Sequence, residues 1–430
     1  MGVLVLVILV SPPLVSWESE IPAILTMRER AAVVDTWLKI RLDRLLPDLM
    51  RREGLDMWLV ICQEYNEDPV YLTLVPYTSF AARRLIMLVF FDRGEEGVER
   101  LAVSRYGIQD FYRGVWEPEK IGQWECLAQV IKERTPQRIG ISESATFAFG
   151  DGLSATLKKK LIQVLGQDYS SRLHSAERLA VGWLEARIPE ELEVYPQIVA
   201  IAHRIIAEAF SRKVITPGVT TTQDVSWWMR ERIKELRLTT WFQPSVSVQR
   251  RNESQHKGDV IHRGDLLHCD VGITYLGLNT DTQEHAYVLR EGETDAPQGL
   301  KEALSQGNHL QDILIGEFKA GRTGNDILAS ALTKAKKEGL KASIYSHPLG
   351  FHGHGAGPTI GLWDKQDGVP GKGDYPLHYD TCYSIELNIR TAIPEWEGQE
   401  IRIALEEDAA FVKGGVVFLD GRQMNFHIIK

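Results

Sequence analysis

Asp270 and Asp281 stand eleven residues apart in the stretch GDLLHCDVGITYLGLNTDTQEHAYVL (264–289). Two apolar strands flank a turn at Leu276-Gly277, and in an antiparallel hairpin residues at that separation come nearly opposite each other. Both carboxylates can therefore face one spot. Like charges side by side among Leu266, Leu267, Val271, Ile273, Tyr287 and Val288 are destabilising unless something positive lies between them, and a divalent cation meets that need. Taken alone, the pair fits two exposed hairpin acids equally well.

Three further stretches add donors. YSIELNI (383–389) places Glu386 in mid-strand, and IRIALEEDAAFV (401–412) does the same for Glu406 and Glu407. HPLGFHGHGAGPTIG (347–361) carries His347, His352 and His354 amid five glycines, which let a backbone approach a ligand closely. Buried glutamates are rare and usually paired. Two Asp, a His and two Glu form an oxygen-rich ligand set suited to Mn²⁺, Zn²⁺, Co²⁺ or Fe²⁺. Two such ions about 3.5–4 Å apart can hold a bridging hydroxide as nucleophile and polarise a carbonyl.

Elements must position these groups. At 430 residues the chain exceeds one ordinary core, so two domains are expected. An apolar period near 3.6 marks a helix from about Met27 to Arg52, stopped by Gly54. Strands MWLVIC (57–62), RLIMLVFFD (84–92), RLAVSR (100–105) and RIGISE (138–143) then alternate with helical stretches 118–133 and 151–167. That alternation predicts an α/β unit to about residue 180. A second unit opens at Ile188-Pro189-Glu190-Glu191, a good helix start. Its TPGVTTTQDVSWWMRERIKEL is echoed by KAGRTGNDILASALTKAKKEG, and each is followed by a β-rich stretch (258–290 and 378–412). The echo reads as an internal duplication, with two halves back to back around one site.

These residues resemble the pita-bread metallopeptidases: methionine aminopeptidase, aminopeptidase P, prolidase and the related creatinase. The likeness covers about residues 185–430. It rests on GDLLHCDVG with Asp270, on TD with Asp281, on HGAG (354–357), on SIELN with Glu386 and on LEEDAAFV. It implies an α/β N-terminal domain at 27–182 and an α+β catalytic domain with pseudo-twofold duplication at 186–430, closest to the aminopeptidase P and prolidase branch. It further implies a metal set of Asp270, Asp281, His354, Glu386 and Glu406 holding two divalent ions, Mn²⁺ first and Zn²⁺, Co²⁺ or Fe²⁺ as alternatives. Glu386 would carry a proton to the leaving amine, and His347, His352 or His256 would face the substrate. His352 also satisfies the HxxG pattern, and Glu407 competes with Glu406. The family's histidine after HxxG is replaced by Trp363-Asp364. Its Arg-Ile-Glu-Asp is stretched to Arg402-Ile403-Ala404-Leu405-Glu406-Glu407-Asp408, which requires a bulge. The activity implied is an Xaa-Pro aminopeptidase or dipeptidase on short peptides, in a homodimer. The alternatives are a hydrolase of a small non-peptide amide and a non-catalytic peptide-binding module on the same fold.

The remaining features narrow the class. Acids outnumber bases, 58 against 49, for a formal net charge of −9, and no Lys/Arg block suggests nucleic acid. Cys62, Cys126, Cys269 and Cys382 show no CxxC spacing and read as buried free thiols rather than a zinc-thiolate site. MGVLVLVILVSPPLVS (1–16), within an expected signal peptide or tail at 1–26, resembles a secretory apolar region without a basic start, and export is preferred. No other segment is apolar and long enough to span a membrane. Trp227-Trp228 reads as packing, and EYNEDP (64–69) as a turn with local side-chain bonds.

Overall fold

The computed structural model describes residues 21–251 and 258–430. His256 and the apolar start therefore lie outside the described residues. Helices α1 (Met27–Ile40) and α2 (Leu46–Arg52) are joined by one π-helical turn at Arg41–Leu45, and Gly54 follows at φ 64°. Strands β1 (Met57–Gln63), β2 (Leu85–Asp92), β3 (Val98–Ala102), β4 (Arg113–Gly114), β5 (Ile139–Ile141) and β6 (Leu173–Ser175) form one sheet in the order β4-β3-β2-β1-β5-β6. Helices α3 (Gln123–Arg134), α4 (Ala155–Ser170) and α5 (Glu177–Glu185) accompany it. In β1, Trp58, Val60 and Cys62 enter one core while Met57, Leu59 and Ile61 enter another. A strand covered on both faces must be apolar throughout, which is why MWLVIC shows no alternation.

The second unit opens with α6 (Pro189–Ala209) and α7 (Thr222–Glu235), then β7 (Ser245–Gln249), β8 (Leu266–Val271), β9 (Thr274–Tyr275), β10 (Leu278–Asn279) and β11 (Thr282–Val288). It repeats with α8 (Gln298–Ile315) and α9 (Gly324–Lys337). Strands β12 (Lys341–Ile344), β13 (His347–Leu349), β14 (Thr381–Ser384), β15 (Leu387–Ile393), β16 (Gln399–Leu405), β17 (Asp408–Val412), β18 (Gly415–Phe418) and β19 (His427–Ile429) complete it. The echoed sequences are the same helix start made twice: Thr221 caps α7 with Asp224 answering, and Thr323 caps α9 with Asp326 answering. The sheets run β19-β11-β8-β7, β12-β15-β16 and β13-β14-β17-β18.

Burial on the first of these sheets explains where polar groups can sit. Leu267, Cys269, Val271, Ala286 and Val288 pack against α6 and α7. The opposite face carries Leu266 and Tyr287 into the core of the second half, and along the same face His268, Asp270, Gln283 and His285 point between the halves.

Candidate metal centre

The hairpin closes as its sequence suggests: Leu276 (φ 55°) and Gly277 (φ 79°) form the left-handed pair of a tight turn between β9 and β10. The ladder register differs from the expectation, however. Asp270 pairs with Gln283, and Val271 with Thr282, so Asp281 sits just outside β11 rather than opposite Asp270. The β9–β10 excursion displaces it, and the Asp281 N–H donates instead to Asp408 Oδ1 (3.2 Å).

The stretched glutamate motif is absorbed by a change of sheet rather than a bulge. Glu406 and Glu407 fall between β16 and β17, which belong to different sheets. Ile385 and Glu386 fall at the matching step from β14 to β15. Both glutamate sites thus lie where an extended chain leaves one sheet for another. There Glu406 pairs by backbone with Gln283, which donates N–H to its carbonyl (3.0 Å).

Asp270, Asp281 and Glu406 present oxygens to one another, and His347, Glu386 and Glu406 form a second, overlapping group. His347 Nε2 lies 3.4 Å from Glu406 Oε1, 3.5 Å from Asp281 Oδ2 and 4.0 Å from Glu386 Oε2. Neither His347 Nε2 nor Asp270 Oδ1 makes a hydrogen bond, although both are buried. Groups so buried are rarely left unpartnered. Burial, then repulsion from Glu406, pushes the Asp270 carboxyl up to about 8, and the same causes raise Asp281 and Glu386 well above the usual range. Burial also works against the charged form of Glu406, but His347, Ser384 and Gln283 outweigh it and hold that carboxyl below its usual value. Acids crowded in this way, with open lone pairs, fit a divalent cation, which would remove the repulsion and satisfy the orphaned atoms.

The histidines separate. Among His347, His352 and His354, the first lies nearest the carboxylates of both groups. His354 is exposed, its ring centroid 4.8 Å from that of His347, with Tyr345 Oη at 3.4 Å from Nε2 and Trp241 at 5.1 Å. The partial desolvation of its ring and then His347 push its imidazole down to about 4. His352 turns away and stacks on Phe149 of the N-terminal unit (4.6 Å, 21°). The sequence assigns the ligand role to His354 and the substrate side to His347 or His352; the structure sets His347 among the carboxylates of both groups and places His354 with His347 and Asp281 in a third donor group. Glu407 faces away, 3.2 Å from His203 Nε2, and the other ring nitrogen of His203, Nδ1, meets Asp420 (2.8 Å).

Sequence reasoning missed Trp241, Tyr345, Ser384, Gln283 and Asp408. Ser384 Oγ donates to Glu406 Oε1 (2.5 Å), and Trp241 Nε1 donates to the Thr280 carbonyl (2.9 Å). For Gln283 a signal existed, since it stands two residues after Asp281 and so falls on the same side of an extended chain. For Trp241 none did. Trp227 is exposed on α7 beside Arg230, and the four cysteines are buried and unpaired. Among the described residues no helix is long and apolar enough to cross a membrane.

The model of metallopeptidase family M24 matches residues 196–418. No curated protein matches by sequence. The X-Pro aminopeptidase from Thermotoga maritima MSB8 superposes with a TM-score of 0.63 at 18% identity, covering 89% of this chain and 99% of its own. The Xaa-Pro dipeptidase from Bacillus anthracis gives 0.62 at 15%, covering 92% and 100%. The N-terminal domain of FACT complex subunit SPT16 from chickpea (Cicer arietinum) gives 0.59 at 11%, covering 92% and 99%. Likeness at these identities establishes the fold, and activity has to be argued from the family and the site.

Proposed function

Because this chain belongs to metallopeptidase family M24, we propose that it removes N-terminal residues from short peptides, cleaving Xaa-Pro or similar bonds with two divalent cations, Mn²⁺ first. The observation that carries this reading is the pair of overlapping donor groups sharing Glu406. Asp270, Asp281 and Glu406 would hold one ion, and His347, Glu386 and Glu406, with Asp281 alongside, the other. When bound, such ions polarise a scissile carbonyl and make water nucleophilic near neutral pH.

The protein's own groups account for the rest. Glu386 keeps one edge of its carboxyl accessible, and its raised affinity for protons suits it to deliver one to the leaving nitrogen. His354, exposed beside Tyr345 and Trp241, can donate a hydrogen bond to the substrate at the mouth of the site. The exposed aromatic residues Tyr65, Phe80 and Tyr106 on the N-terminal unit suit the expected homodimer, which sedimentation would test. The two domains are proposed to divide at 27–182 and 186–430, a junction at the buried end of α5.

The test is hydrolysis of Xaa-Pro dipeptides and tripeptides by purified protein with Mn²⁺. Release of the N-terminal residue is expected, and no turnover across the panel with any of the four metals would overturn the substrate assignment. The retained donors argue against a binding-only role. A metal-free protein that still captured peptides would restore it.

A further inference from the structure

We propose that Gln283 is a positioning residue that sets both glutamates of the site at once, and that His268 dictates which way its amide points. The inference rests on the metal-centre reading above but concerns residues outside the ligand set.

One nitrogen makes the link. Gln283 Nε2 donates to Glu386 Oε1 (2.8 Å) and to Glu406 Oε2 (2.6 Å), so both of its N–H groups are used on carboxylates. Those glutamates come from two separate crossings between sheets, where no ladder holds their side chains. Gln283 is itself anchored twice, by its place on β11 opposite Asp270 and by its backbone pairing with Glu406. With Glu386 Oε1 and Glu406 Oε2 tied, Glu386 Oε2 and Glu406 Oε1 are the oxygens turned toward His347.

The amide could in principle turn over. Its oxygen would then face two carboxylate oxygens at hydrogen-bond distance, a repulsive arrangement. His268, half-buried on β8, prevents this. Its Nε2 lies 2.8 Å from Gln283 Oε1, and an amide oxygen can only accept, so Nε2 carries the proton. Nδ1 is left to accept from Ser247 Oγ at 3.4 Å. The order of action is therefore Ser247, His268, Gln283 and then the two glutamates, a supporting chain of the kind that orients metal ligands.

Calorimetric titration of the full chain with Mn²⁺, after chelator treatment, tests this without reference to peptide turnover. Gln283→Leu should weaken Mn²⁺ binding about 10- to 100-fold, the usual loss when a ligand's hydrogen-bonding partner is removed. His268→Phe should lose a comparable amount. The double variant should bind no more weakly than Gln283→Leu, because His268 acts only through Gln283. His268→Gln, which supplies an N–H to the same oxygen, should recover most of the affinity. A merely structural role would lower the melting temperature and leave Mn²⁺ affinity unchanged, and that result overturns the proposal. Additive losses in the double variant overturn the part assigned to His268. If Gln283→Leu does not fold, Gln283→Met takes its place, and unchanged Mn²⁺ affinity in that variant rejects the proposal. A wild-type protein that binds no Mn²⁺ rejects the metal-centre reading itself, a distinguishable outcome.

Discussion

His347 Nε2 lies 3.4 Å from Glu406 Oε1 without a hydrogen bond between them. A buried imidazole nitrogen and carboxylate this close would fit two ligands of one cation under the proposed function. His354 stands one layer further out. His347→Ala should therefore remove bound metal, with its affinity falling at least about tenfold. His354→Ala should keep the metal and lose about 100-fold in turnover, the scale of a single hydrogen-bonding or proton-handling group. Elemental analysis beside a peptidase assay separates the two; the reverse pattern would restore His354 as the ligand.

The crowded acids make the metal-free protein sensitive to alkali. The Asp270 carboxyl is pushed up to about 8 in the fold, against about 3.9 in an unfolded chain. Between those values the folded state holds more protons than the unfolded one, so stability falls as pH rises from about 4 toward 8. Asp281 and Glu386 are raised for the same reason and act in the same direction. In chelator, the melting temperature should be lower at pH 8 than at pH 5. Added Mn²⁺ should stabilise more at the higher pH, where fewer protons compete for the oxygens. A melting temperature that rises with pH in chelator would contradict the picture.

Glu406 and Glu407 are neighbours whose carboxylates face opposite ways, one toward His347 and the other toward His203. Glu406→Gln should reduce metal content and activity together. Glu407→Gln disturbs a fully buried pair with His203, so it should cost about 1–3 kcal/mol of stability while metal content at saturation stays near the wild-type value. Urea unfolding alongside metal analysis decides between them.

A methyl group at Gly353 would overlap the indole of Trp241, which is held by its bond to Thr280. Gly353→Ala should displace Trp241 from beside His354 and lower kcat/KM about 10- to 100-fold, with metal content unchanged. Equal kcat/KM in the variant would remove Trp241 from the substrate site.

Much of this was legible beforehand. The two-sided burial of β1 shows in its unbroken apolar run, and the duplicated helix starts show as Thr-x-x-Asp in both halves. Local chemistry controls both: a cap needs its carboxylate three residues on, and a strand covered twice cannot alternate. The hairpin turn at Leu276-Gly277 was legible for the same reason.

Less was visible where distant segments meet. Spacing suggested that Asp270 faces Asp281, but the β9–β10 excursion shifts the register and puts Gln283 opposite Asp270. Trp241 reaches the site through a bond to Thr280, 39 residues away, and no local pattern announces it.

The sequence by itself determined the kind of donors, their order along the chain and the two-fold plan that would gather them, since composition and periodicity act within a single element. Only the tertiary structure decided which of three neighbouring histidines meets the carboxylates and which of two adjacent glutamates turns inward. Those choices depend on where an extended chain crosses from one sheet to the next, and a crossing is set by packing between halves that lie far apart in the chain.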